Sequence, residues 1–421
     1  MILSRIVTIS LIIVFFFILQ NVQGQYKHLE KQLKKKAISL DLTSLAAGSP
    51  FDLHKSIDSN FKVLAIGEQS HGTSEFFKAR LSLIKSLVNT GMLTKIGLEA
   101  PIAEVEQLNS YISGGQGNLK QILASFRLFN YECQEFNDLV ESVKILNKST
   151  DRPICFFGMD MQSPFQSLQN ILNSCASNDN IIADSVRKLT EYYRTLNNEM
   201  YNHSFNEGDF TELVTMSNLI FKKLEAQKAD CLNTELIRRS IINYRQFLLL
   251  NNPKFPYEAK ANLRDSLMAE NVLREINSGD KIVLLAHNGH VQRTPNTYSK
   301  SMGYFLSQKL GLQYQCIALT TTSGFYTAFT PEAGRITDKN AIPVAYRETF
   351  EYCFSKIGPP MFFFKTAPVK QKVGNKTVPA KYKLLPFGLT DKPFVTGNLL
   401  DDFDYVLHIE ITTGNRSFYL K

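Results

Sequence analysis

Apolar residues in this chain come in short unbroken runs, each ended by a polar break. The runs are "KVLAIG" (62–67), "KIGLE" (95–99), "PICFFGMD" (153–160), "KIVLLAH" (281–287), "YQCIALT" (314–320) and "MFFFK" (361–365). A seventh, "YVLHIEI" (405–411), alternates more than the others. Unbroken apolar runs separated by helical patterns predict a mainly parallel sheet with both faces covered. The helix after the first run is expected to start near Thr73, continue through "EFFKARLSLIKSLVNTG" and close at Gly91 in C-cap position. Further helices are expected at about 102–112, 134–148, 300–310 and 346–357. From Gln162 to Ser278 the texture changes to helical periodicity with no clear strand, which predicts a helical insertion between two strands. The expected fold is therefore a three-layer α/β/α core with a large helical insertion. Its parts are a lead-in at 25–60, a first core part at 61–161, the insertion at 162–278 and a second core part at 279–421. The Lys-, Pro- and Gly-rich stretch 366–402 reads as a loop.

The first 24 residues read as a signal peptide. Arg5 supplies the positive start, "IVTISLIIVFFFIL" the apolar centre, and "NVQGQ" a cleavage site after Gly24. That centre is short for a membrane span, and no cysteine follows it to carry a lipid anchor. No later stretch is apolar enough to cross a bilayer, so an exported protein, periplasmic or secreted and without stable membrane insertion, is expected. At 421 residues with 44% hydrophobic and 20% charged residues, the chain is globular and holds one large domain or two ordinary ones. The net charge of +8 is scattered, apart from Lys34–Lys36. No basic stripe interleaved with aromatics is present, so no nucleic-acid partner is expected. Six cysteines contain no CxxC pair, which argues against a zinc knuckle. Cys155 and Cys316 lie in apolar runs and are expected to be buried thiols. Cys175 and Cys231, in the helical middle, are the candidates for a bridge, which export permits.

In an open parallel sheet, ligands bind beyond the carboxyl ends of the strands. The first run ends in "IGEQSHG", giving Glu68 and His71; the second in "GLEAP", giving Glu99. The third ends in "FFGMDMQ", giving Asp160 and Gln162, and the fourth in "LLAHNGH", giving His287, Asn288 and His290. Three carboxylates and three of the seven histidines thus converge on one edge, which sheet formation does not require. Taken singly, each has a plainer role: a carboxylate can cap a helix, Asp160 can brace a loop, and a histidine can be a hydrogen-bonded structural residue. In "GEQSHG", Gly67 and Gly72 permit a tight turn, so that Glu68 and His71 can share a hydrogen bond. A carboxylate on one imidazole nitrogen raises the basicity of the other, as a general base requires. Arg80 falls about two and a half turns into the next helix; it is a candidate to steer a carboxylate or stabilise an oxyanion, or else an exposed helix residue. His287 and His290 are candidates to supply the acid or to polarise a carbonyl. No G-x-S-x-G elbow or strand-end cysteine offers a nucleophile, which favours an activated water.

The stretches "GEQSHGTSEFFKAR", "IGLEAP", "FFGMDMQ", "NLRDSLMAENV" and "LLAHNGHV", in this order, resemble the erythromycin esterase family. The resemblance implies a three-layer α/β core with a helical insertion, and hydrolysis of a macrolactone ester by a histidine-activated water. It makes His71 the general base and Glu68 its orienting partner, with Arg80, Glu99, His287 and His290 lining the cleft. Arg264 and Asn271 match a family helix that faces the site and, with Asp160, Gln162 and Asn288, are expected to bind substrate. The chain departs from the family pattern in carrying Gln69-Ser70 where an Ala-Thr pair is common, and in having no tryptophan. These changes bear on pocket shape and macrolide specificity more than on the base.

The expectation is therefore a carboxylic ester or lactone hydrolase acting on a small molecule without a cofactor. One alternative is a metal-dependent (Mn or Zn) hydrolase or peptidase-like enzyme using the same His/Glu cluster, kept open by a distant similarity to Tiki-like metalloproteases. Another is a polysaccharide-related binding protein on the same scaffold.

Overall fold

The computed structural model describes residues 26–420 apart from 54, 90, 92, 176–179, 197–204, 227–233, 296–298 and 386–387. The expected signal peptide lies outside the described residues. In chain order the strands are β1 Ile38–Ser39, β2 Val63–Ile66, β3 Lys95–Pro101, β4 Cys155–Asp160, β5 Ile282–Leu285, β6 Tyr314–Thr330, β7 Arg335–Ala341, β8 Met361–Lys365, β9 Lys381–Lys383, β10 Phe394–Thr396 and β11 Tyr405–Thr412. The main sheet runs β1-β8-β11-β6-β2-β5-β3-β4, with β7 paired to the far part of β6. From β11 to β4 every pairing is parallel; β1, β7 and β8 join antiparallel.

The apolar runs are unbroken because both sheet faces are covered. Successive side chains point to opposite faces. Leu64, Ile66, Ile96, Leu98, Val283 and Leu285 pack into one layer with the helices Ser74–Asn89, Ile102–Ile112 and Gln134–Leu146. Val63, Ala65, Phe157, Met159, Ile282 and Leu284 pack into the other with Tyr257–Arg274 and Met302–Leu310. All four residues of β2 and of β5 are buried. This is a three-layer α/β/α core. Between β4 and β5 the described residues form only helices, and four of these close around a cluster of their own that includes Leu168, Val186, Tyr193, Ile220 and Phe247. No helix among the described residues is long and apolar enough to cross a membrane.

The chain builds β3 and β4 outward from β2, then returns after the helices to lay β5 between β2 and β3. β6 goes to the other side of β2. The strand order reverses there, which opens a crevice at the carboxyl ends of β2 and β5.

Some local expectations are corrected. β6 does not stop at 320 but continues to Thr330 and folds back through β7. The helix expected at 346–357 is only Phe350–Phe354, because Tyr346–Thr349 forms a turn whose Thr349 side chain caps it. The stretch 366–402 is not one loop. It contains the helices Thr366–Val373 and Leu399–Asp402 and the antiparallel pair β9-β10. Glu351 accepts the Lys383 N–H at 2.7 Å and Asp402 accepts the Tyr382 hydroxyl at 3.0 Å, which anchors this arm. Gly91 does adopt φ 67° just beyond the helix that it closes. Cys316 is a buried thiol, whereas Cys155 is only partly buried. Cys175 is disulfide-bonded; its expected partner, Cys231, lies outside the described residues.

Candidate active site

Four adjacent strands, β4-β3-β5-β2, end at one crevice. Beyond β2 the turn 67–73 is pressed against the sheet. A methyl group on Gly67 would lie 2.0 Å from Asn288 Oδ1, and one on Gly72 would lie 1.9 Å from the Thr327 carbonyl oxygen. Neither glycine has positive φ. They are needed here for close approach, not for an unusual backbone conformation.

This turn places His71 Nδ1 2.9 Å from Glu68 Oε1. A carboxylate can only accept, so His71 donates from Nδ1, and the basic nitrogen of the neutral ring is Nε2. Arg80 stands on the opposite side of Glu68, donating from Nη1 to Oε2 at 2.7 Å. It was expected in the cleft, but its position on the helix turns it into the core at 1% exposure. Its Nη2 also donates to the carbonyls of Ile66 and Ala286, at 3.2 and 2.7 Å, and so ties β2 to β5. Arg80 therefore cannot reach a substrate; it holds Glu68.

The His287 ring lies beside that of His71, with centroids 4.7 Å apart. His287 Nε2 faces two carbonyl oxygens, Leu385 at 2.9 Å and Gln69 at 3.2 Å, so it carries the proton. Its Nδ1 accepts the Gly289 N–H at 3.4 Å. Burial, then repulsion from His71 and His290 against the pull of Glu99, pushes His287 down to about 3. His290 is the opposite case. Burial disfavours its charge, but Asp265 at 2.8 Å from Nδ1 and Glu99 at 3.3 Å from Nε2 outweigh that and raise its pKa.

Glu99 would be pushed up by burial alone. His290, His71, Arg264 and the His287 backbone N–H, donating at 2.8 Å, together hold it well below the usual carboxylate range. Arg264 spans the cluster. It donates to both oxygens of Asp160 at 2.6 and 3.2 Å and to Glu99 at 3.1 Å, and lies 3.3 Å from His290 Nε2. Asp160 is fully buried, so its part is to fix Arg264.

These groups border a cavity of about 760 Å³. His71, Glu99, Gln162, Arg264, His287 and His290 line it. Glu68, Arg80, Asp160, Asn271 and Asn288, which were also candidates, do not. Asn271 is buried against Gln246 and the Met159 carbonyl, and Asn288 donates to the Leu319 carbonyl at 3.0 Å. Both brace strand ends where substrate contact was expected. Sequence reading missed Asp265, although its place beside Arg264 on the helix was a signal. It also missed the Leu385 carbonyl, for which no side-chain signal exists. Among the described residues, no group of three or more His, Cys, Asp or Glu is arranged to hold a metal ion.

The two shifted histidines of this site act in separate pH windows. Unfolded His287 takes a proton near 6.5, whereas the folded residue resists it down to about 3. The unfolded state binds more protons across that interval, so stability falls with acidification, by up to about 1.4 kcal/mol per pH unit. The raised pKa of His290 works the other way: its contribution is complete below 6.5 and is lost as pH rises through the folded value. Thermal melts between pH 6.5 and 5 should therefore decline less steeply for His287→Gln than for the parent. An equal slope would show that His287 does not resist protonation.

The sequence model of the erythromycin esterase family matches residues 93–412. The chain belongs to the erythromycin esterase family. Membership makes it a hydrolase of that family, and the Glu68–His71 turn precedes the matched residues. The chain is 24% identical over 301 residues to the type II erythromycin esterase of Escherichia coli, covering 64% of this chain and 71% of the relative. To the type I enzyme of the same organism it is 25% identical over 309 residues, covering 64% and 72%. Among solved structures, a protein described as a succinoglycan biosynthesis protein superposes with a TM-score of 0.76 at 22% identity, covering 93% of this chain and 99% of that one. A Bacillus cereus protein gives 0.75 at 20% identity, covering 93% and 98%. An erythromycin esterase mutant, EreC, in its open conformation gives 0.69 at 18% identity, covering 90% and 98%. These likenesses establish a shared fold.

Proposed function

We propose that this family member hydrolyses a carboxylic ester or lactone by adding a water molecule that His71 deprotonates. The observation that carries the reading is the Arg80–Glu68–His71 chain, with links of 2.7 and 2.9 Å, ending on an imidazole at the cavity wall. Glu68 fixes the ring and stabilises the imidazolium that forms when Nε2 takes the proton. Hydroxide then adds to the carbonyl carbon. Arg264 and His290, both N–H donors at the cavity wall, are placed to stabilise the oxyanion. As the tetrahedral species collapses, the C–O bond breaks and the departing alkoxide takes back from His71 the proton that came from water. Water is thus divided between acid and alcohol. His287 stays neutral, with its N–H committed to two carbonyls, and adds no second positive charge against His71.

No metal is needed in this scheme. The Arg264 guanidinium lies between Asp160, Glu99 and His290 and bonds to both carboxylates. We also propose that the protein is exported, on the strength of the N-terminal sequence, and acts on a small molecule. The test is incubation with macrolides, lactones and simple esters, followed by mass spectrometry. A gain of one water is expected for at least one compound, undiminished after dialysis against a chelator. Loss of turnover on chelation, restored by Mn or Zn, would replace this reading with metal-assisted hydrolysis.

A further inference from the structure

Buried polar atoms without partners are costly, about 1–3 kcal/mol each, and call for a reason. Several occur among the described residues, including Gln69 Nε2, Asn243 Oδ1 and Asn288 Oδ1. Of these atoms, Asn130 Oδ1 is the one on a residue that lines the cavity. Asn130 is 4% exposed.

Backbone hydrogen bonds fix the position of Asn130. It lies in a turn closed by the Tyr131 N–H on the Leu128 carbonyl and the Glu132 N–H on the Phe129 carbonyl. The turn follows Arg127, the single non-glycine residue with positive φ among the described residues, at 57°. The guanidinium of Arg127 lies 4.8 Å from the Phe165 ring centroid. Such a conformation is unfavourable for arginine and persists only where surrounding contacts enforce it. The neighbouring Tyr131 hydroxyl donates to the Glu99 carbonyl at 3.3 Å, which ties the turn to a strand end of the active site. Oδ1 itself is enclosed at the cavity wall, and a half-turn about the broad terminal torsion of the carboxamide exchanges it with the amide nitrogen. Gln162, at the end of β4, lines the same cavity and makes no side-chain hydrogen bond within the protein among the described residues. Leu128, Leu250, Leu384 and Val395 supply apolar wall.

We propose that Asn130 is a specificity-determining residue whose carboxamide hydrogen-bonds a hydroxyl group of the substrate, so that hydroxylated esters and lactones are preferred over their deoxy counterparts. This rests on the ester-hydrolase reading above. A site built to bond a hydroxyl rejects an analogue lacking it far more strongly than an apolar pocket separates homologues. The unpartnered Asn130 Oδ1 is the mark of such a site before substrate enters.

The test uses two butyrate esters with the same acyl group and the same number of alcohol carbons: monobutyrin, with two free hydroxyls, and propyl butyrate, with none. The parent enzyme should favour monobutyrin by tenfold or more in kcat/KM. In Asn130→Leu that ratio should fall to near one through a higher KM for monobutyrin, with propyl butyrate changed less than threefold. Asn130→Asp, which keeps an acceptor, should retain most of the preference. The leucine variant should melt no lower than the parent, because the replacement removes an unpaired polar group. Equal loss on both esters, an unchanged ratio, or failure of the parent to turn over monobutyrin or to be thermally stabilised by it would overturn the proposal. If His71→Asn still hydrolyses the esters while the Asn130 ratio collapses as stated, the base assignment fails and this proposal stands.

Discussion

Replacing His71 by asparagine is expected to lower kcat/KM for an accepted ester about a thousandfold while the melting temperature moves by only a degree or two. The loss follows from the general base, whose contribution is typically about 10²–10⁴. Stability is spared for a geometric reason. The asparagine amide nitrogen falls near the place of His71 Nδ1 and can still donate to Glu68 Oε1, so the buried carboxylate keeps both of its partners. Initial rates and thermal melts on the same preparation make the comparison. A variant that retained a tenth of the activity would show that another group removes the proton.

Arg80→Met is expected to destabilise the fold by about 3–5 kcal/mol, the usual cost of removing one partner from a buried ion pair. Glu68 is 2% exposed and Arg80 1%, so water cannot take over the lost contact. The Ile66 and Ala286 carbonyls lose a donor at the same time, loosening the β2-β5 junction. Urea unfolding measures the change. The double variant Glu68→Gln, Arg80→Met should recover part of it, because the uncompensated charge is gone. A single variant within 1 kcal/mol of the parent would mean that Glu68 is held by other groups. Activity should fall in both variants, since His71 loses its ordered ionic partner.

The contrast between these two residues shows what the sequence could convey. Strand ends were legible because ionisable residues interrupt buried apolar runs, and the reversal of strand order brings Glu68, Glu99, Asp160 and His287 to one crevice. The direction of Arg80 was not legible. Counting residues from His71 gives height along a helix, but the side it faces depends on where the helix starts and how it packs. Asn271 and Asn288 misled for a related reason: polar residues near a site often brace the elements that carry it. The length of β6 and its return through β7 were missed because "TTTSGFYTAFT" contains none of the continuous apolar character used to recognise the other strands. The 366–402 arm is made of short pieces anchored by single side chains such as Glu351 and Asp402, which no local period announces.

That arm has a consequence for how such a protein changes over time. Its contact with the imidazole pair is made by the carbonyl of residue 385, and every amino acid brings the same carbonyl. Selection on this contact therefore constrains the path of the chain and leaves the identity of the residue free. The neighbouring arm positions 384, 390, 392 and 395, which line the cavity, are free to vary in identity so long as that path is kept.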